Sequence, residues 1–211
     1  MNYNIIVDNV QIKNGFIYYG KNIIEIPKGL CLDLGCGNFE YENEYNTPVI
    51  GIDKFANLNK INFIKGDLNL DKTWDKVEDN SIDFITSIGV LHWTKNINYI
   101  INKCNQKLKK SSTMFHFFWS EKNFDKQILK LLCPDLYKSL EKEYNNFDNM
   151  LKTNVYDEKN ILNNNNFKII ELKTFKSFIF INEKTISQCI ANYFKPRAEF
   201  IILHAEKVKC F

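Results

Sequence analysis

Four residues in one short stretch have the types and spacing to do chemistry: Asp33, Gly35, Gly37 and Asp53, within LCLDLGCGNFEYENEYNTPVIGID at residues 30–53. Asp33 lies inside an apolar run at 30–34, and Asp53 closes a second run at 49–52, twenty positions further on. A glycine turn after one buried strand and an acid at the tip of the next is the layout of a nucleotide-binding βαβ unit. Glycines at 35 and 37 let the backbone approach a ligand closely, because no Cβ intervenes. A carboxylate at the tip of the second strand can accept both hydroxyls of a ribose. A dinucleotide loop needs a third glycine, and the position it requires is Glu40. A glutamate there repels a pyrophosphate, which argues against an oxidoreductase.

The elements that must position these residues follow in chain order. Residues 1–29 hold β-like runs at 3–7, 16–19 and 23–26, separated by Asp-Asn and Asn-Gly turn signals. They read as a small hairpin that extends the sheet or packs on its edge; the sharper reading is a lid or dimer contact with Tyr18 and Tyr19 near the substrate. Between the glycine turn and the second strand, residues 38–47 allow two helical turns at most. Residues 61–65 form the next strand, with Gly66 and Asp67 at its tip, and residues 81–87 the fourth. Residues 96–108 place Ile97, Ile100, Ile101, Cys104 and Leu108 on one helical face. Residues 113–119 read as a fifth strand, 167–175 as a sixth and 199–207 as the last. Helical patterns fall at 124–132, 136–144, 157–162 and 185–194. No repeat or linker divides the chain, so residues 1–211 read as one domain, with a β-rich extension at 1–29 and a helical insertion at 120–156.

The D-x-G-x-G form of Asp33, Gly35 and Gly37 resembles the class I methyltransferases that bind S-adenosylmethionine. That ligand carries a sulfonium and an ammonium and no phosphate, so acids near the loop are welcome. The resemblance is strong over about 30–94 and weak to 207. It implies an α/β fold: a doubly wound, seven-stranded, mostly parallel Rossmann-like sheet with an antiparallel last strand. It implies that Asp33, Gly35, Cys36, Gly37, Asp53 and Lys54 hold the cofactor, that Asp67 and Leu68 meet the adenine, and that Ser87 and Ile88 lie near its methionine end. S-adenosylhomocysteine would be the product. Many relatives have a third glycine where this chain has Phe39, and a longer first helix; the pattern is that of a subgroup with this helix shortened. The run Ile88-Gly89-Val90-Leu91-His92-Trp93 is similar to the post-strand segment of small-molecule methyltransferases, and no NPPY-type segment is present.

Among the three histidines, His116 and His204 fall in apolar strand patterns and read as strand-face residues. His92 lies past the fourth strand on the edge where open α/β sheets place ligands, and is the candidate base. Trp93 is a candidate substrate wall. Arg197 is the one arginine among 28 basic residues, follows Pro196 before the last strand, and offers a planar fork for carboxylate or phosphate. Tyr18 and Tyr19 complete the candidate substrate set. The implied reaction is methyl transfer to a small, anionic metabolite, on oxygen in preference to nitrogen. The alternatives are an RNA or protein methyltransferase and a catalytically silent partner subunit.

The totals fit this reading. The 211 residues, 45% apolar and 25% charged, suit a soluble globule. A net charge of +3 gives no basic stripe for nucleic acid. Six cysteines form no C-x-x-C, and no histidine pair stands at metal spacing. They read as free thiols in a reducing cytoplasm. No apolar run is long enough for a membrane span. The expected assembly is a monomer or homodimer.

Overall fold

The computed structural model describes residues 10–91, 94–119, 138, 167–178 and 197–208. The first three strands, β1 (Val10–Lys13), β2 (Phe16–Tyr19) and β3 (Asn22–Glu25), form an antiparallel sheet of their own. Asn14 and Gly15, both at positive φ, make the β1–β2 turn, as the Asn-Gly signal predicts. Of the two placements expected, extending the main sheet or packing on its edge, the first is corrected: the three strands join no strand of the main sheet. The run at 3–7 lies outside the described residues.

The main sheet has seven strands: β4 (Cys31–Leu34), β5 (Val49–Asp53), β6 (Phe63–Lys65), β7 (Ile82–Ile88), β8 (Leu108–Trp119), β9 (Phe167–Phe178) and β10 (Arg197–Lys207). Their spatial order is β6-β5-β4-β7-β8-β10-β9. The first five pair in parallel, and β10 runs antiparallel to both β8 and β9. The chain therefore turns from one side of β4 to the other, and the switch point lies between the ends of β4 and β7. β8 begins at Leu108, five residues before the expected strand. β10 begins at Arg197 itself, so this residue opens the strand and does not precede it.

One face of the sheet packs on a helix. Leu32, Leu34, Ile52, Ile85, Met114, Leu203 and Ala205 meet Ile100, Ile101 and Cys104 of α2 (Ile97–Lys107) in a continuous core. The α2 segment follows the i, i+3, i+4, i+7 spacing of its apolar residues, and the Asn96 side chain caps it by accepting from the Tyr99 amide. Trp74, at the end of the short α1 (Asp71–Trp74), fills the same core and donates its indole N–H to the Leu68 carbonyl at 2.8 Å.

The opposite face has no long helix among the described residues. A 3₁₀ turn, Glu42–Tyr45, is all that stands between β4 and β5. The three-stranded sheet helps to cover this face: the Tyr19 ring lies 5.4 Å from that of Phe115 on β8, and its hydroxyl donates to Glu171 on β9 at 2.6 Å. The β1–β2 turn is tied to the 3₁₀ segment by the Gly15 amide, which donates to the Glu44 carbonyl at 2.7 Å. The expected helices at 124–132, 157–162 and 185–194 lie outside the described residues, as does 136–144 apart from Lys138, which is helical.

Candidate functional site

Every parallel strand ends at the same edge, and the loops after β4, β5, β6 and β7 gather there. Gly35 has φ +72, and a Cβ on it would meet the Val90 side chain at 2.1 Å. The first loop glycine is therefore required by packing against the loop after β7. Gly37 and Gly89 differ: both have positive φ, and a Cβ on either would meet nothing within 4 Å. These two glycines border open space on either side of the switch point, a cradle that a side chain would fill.

Asp53 fastens the loops together. Its Oδ2 accepts from the Gly37 amide at 3.0 Å, and its Oδ1 accepts from the amides of Phe55 and Ala56 at 2.7 and 2.9 Å. A carboxylate has about four acceptor positions. Three are filled by backbone, which leaves one acceptor position open, at Oδ2. Lys54, the next residue, pairs with Asp67 across the tips of β5 and β6 at 2.9 Å. Asp67 also accepts from the Asn69 amide and side chain at 2.9 and 2.8 Å. Burial alone would raise its pKa, but the Asn69 and Lys54 bonds outweigh it and hold the carboxyl at about 2. Leu68 is buried and lends its carbonyl to Trp74.

Phe39 occupies the place of the missing glycine and takes a glycine's conformation, φ +56. Its ring is 2% exposed and lies where Gly51 lacks a side chain: a Cβ at Gly51 would meet Cys36 Sγ at 2.6 Å and the Phe39 ring at 3.0 Å. The departure from the three-glycine pattern is thus filled with packing. Cys36, half-buried, has its thiol pushed up to about 12 by burial, with Asp33 and Asp53 adding to the effect. It is a poor nucleophile there.

Asp33 is buried behind the loop. Thr86 donates to its Oδ1 at 3.1 Å, and the Tyr45 hydroxyl stands 2.6 Å from the Thr86 oxygen. Burial raises the Asp33 pKa to about 6, partly countered by the Thr86 and Tyr45 bonds, while nearby Asp53 adds to the rise. Among the described residues no cation pairs with it. Neither Tyr45 nor Thr86 stands out in the sequence, because their relation to Asp33 is spatial.

Ser87 and Ile88 end β7. The Ser87 hydroxyl is buried against His116 Nδ1 on β8, at 2.8 Å. Burial holds the His116 imidazole down to about 3, so it is neutral. His204 is also lowered by burial, against the pull of Glu171. Tyr19 is 5% exposed and bound to Glu171, while Tyr18 on the other face of β2 is 37% exposed. The Arg197 backbone opens β10 at the carboxyl edge of the parallel strands, since β10 runs antiparallel to β8 and Phe200 pairs with Trp119 at the end of β8. His92 and Trp93 lie outside the described residues.

Comparison with known proteins agrees with this geometry. The sequence profile of a family described as a methyltransferase domain matches residues 32–116. No curated protein matches the chain by sequence. Solved structures do match in fold. A Bacillus halodurans protein assigned as a methyltransferase is 15% identical, with 86% of this chain and 94% of that one covered and a TM-score of 0.60. An S-adenosylmethionine-dependent methyltransferase from Archaeoglobus fulgidus is 17% identical, with 85% and 86% covered and a TM-score of 0.54. The phosphoethanolamine N-methyltransferase 2 of Haemonchus contortus, solved with phosphomonomethylethanolamine and S-adenosylhomocysteine, is 12% identical. There 86% of this chain and 49% of that one are covered, with a TM-score of 0.55.

Proposed function

We propose that the chain is a class I, S-adenosylmethionine-dependent methyltransferase, and that its acceptor is a small anionic metabolite, methylated on oxygen in preference to nitrogen. The cofactor supplies an electrophilic methyl group on a sulfonium. The protein's part is to hold both reactants in line and to take a proton from the acceptor. In this reading Gly37 and Gly89 leave room for the cofactor between the loops of β4 and β7. Asp53 takes a ribose hydroxyl through Oδ2. Lys54 and Asp67 bound the adenine end with Leu68, and Ser87 and Ile88 present backbone to the methionine end.

The observation that carries the acceptor reading is the position of Arg197. It is the one arginine of the chain, and the antiparallel course of β10 delivers it to the ligand edge. Its guanidinium would fix the anion. His92, in the loop after β7, would take the proton, and Trp93 would wall the acceptor. The segment 120–156 would supply the remaining specificity within a single domain, with Tyr18 and Tyr19 the candidate contacts from the first 29 residues. The test is steady-state kinetics with a panel of small carboxylates and phosphates, read by S-adenosylhomocysteine release. Arg197→Lys should raise acceptor KM and leave cofactor binding intact. His92→Ala should lower kcat by about 100-fold or more. If both variants turn over the acceptor like the parent protein, the anion reading is wrong.

A further inference from the structure

Among the described residues of the site, the Asp33 carboxyl has surroundings at odds with its charge. It is buried, and among the described residues it has no cation partner. Its neighbours are arranged for the ionised form all the same. The Thr86 hydroxyl donates to Oδ1, which leaves the Thr86 oxygen to accept from Tyr45. Two donors in series therefore point toward Asp33, from β7 and from the 3₁₀ segment. The other titratable groups that bear on it are Asp53 on β5, which opposes ionisation, and the Cys31 and Cys36 thiols, both pushed up to about 12 by burial and hence neutral. A cationic ligand would supply the counter-charge that this buried carboxylate lacks.

We propose that Tyr45 and Thr86 are positioning residues: their hydroxyl chain holds the Asp33 carboxylate for the cationic end of S-adenosylmethionine, so that cofactor binding releases a proton from the protein. This rests on the cofactor placement given above. The carboxyl O–H of Asp33 breaks, its proton goes to solvent, and the ligand's positive charge replaces it beside the carboxylate. With a ligand-free pKa near 6, the affinity falls by about tenfold between pH 7.5 and pH 5.

The experiment is calorimetric titration of the full chain with S-adenosylmethionine from pH 5 to 8, in buffers of different ionisation heat. The expected result is that tenfold loss at low pH, with about half a proton released at pH 6. Asp33→Asn should bind with a flat profile and no proton release. Thr86→Val should move the midpoint to higher pH, Tyr45→Phe should do so by less, and Thr86→Ser should restore it. A purely structural role would instead lower affinity equally at every pH in Thr86→Val and Tyr45→Phe, and that outcome overturns the proposal. So does an Asp33→Asn variant with the parent pH profile. Parent protein that binds the cofactor with no pH profile refutes this inference alone. Parent protein that fails to bind it at pH 8 refutes the cofactor placement as well.

Discussion

Phe39 shows how one residue can replace a motif glycine. A non-glycine residue in the left-handed region costs about 1–2 kcal/mol, and burying a phenylalanine contributes roughly 3–5 kcal/mol relative to alanine. Burial wins, so the strained backbone is kept. Phe39→Gly should lose the ring but relieve the strain, whereas Phe39→Ala should lose the ring and keep most of it. The urea midpoints should fall in the order parent, Gly, Ala, the reverse of the usual ranking of alanine above glycine. A Phe39→Ala variant more stable than Phe39→Gly would refute the strain. Asp53→Ala removes the proposed ribose acceptor and frees three amides, so cofactor affinity should fall by roughly 10- to 150-fold, the equivalent of about 1.5–3 kcal/mol. The same variant should also unfold at lower temperature, because the loops of β4 and β5 lose their tie. Unchanged affinity in a folded variant would remove Asp53 from the site.

Among the elements, those that a single stretch of sequence specifies were legible. β4, β5 and β7 are short apolar runs, as parallel strands buried on both faces must be, and α2 has a periodic apolar face. Asp33, Gly35, Gly37 and Asp53 were legible for the same reason: their pattern is local. β1 was missed because Val-Gln-Ile-Lys alternates weakly and buries one residue, Ile12. The start of β10 was read two residues late because Pro196 resembles the end of a loop. Tyr45 and Thr86 could not be found, since each meets its partner across 41 or 53 positions. The small sheet β1–β3 stands on the face that has no long helix among the described residues, and the Tyr19 hydroxyl bond to Glu171 is one of its fastenings. Tyr19→Phe keeps the ring on Phe115 and removes that bond. It should destabilise the protein by about 1 kcal/mol, leaving Glu171 half-exposed to water. A loss above roughly 3 kcal/mol in denaturant unfolding would mean that the bond secures more than itself.

For the whole molecule, two carboxyls make opposite contributions to stability against pH. Asp33 is raised to about 6 from a model-peptide value of 3.8, so the folded state holds its proton longer than the unfolded chain. Its contribution is fully present below pH 3.8 and is lost as pH rises through about 6. The difference amounts to about 3 kcal/mol. Asp67 is lowered to about 2, so its contribution is present above pH 3.8 and lost as pH falls through about 2. Asp33→Asn should therefore flatten the stability profile between pH 4 and 6 and make the ligand-free protein more stable at pH 7.5. Thermal unfolding across that range checks it; an unchanged slope would show that Asp33 ionises in the folded state as it does in the unfolded chain. The fastening of β2 to β9 has a consequence in time. Tyr19 and Glu171 stand 152 positions apart. On the ribosome, at about 5–20 residues per second, the small sheet leaves the exit tunnel several seconds before the strand it binds. Through that interval Tyr19, buried in the finished fold, lacks its β9 partner Glu171. Pairing over such separations slows folding, so nascent chains stalled before residue 167 should engage chaperones that the completed chain does not need.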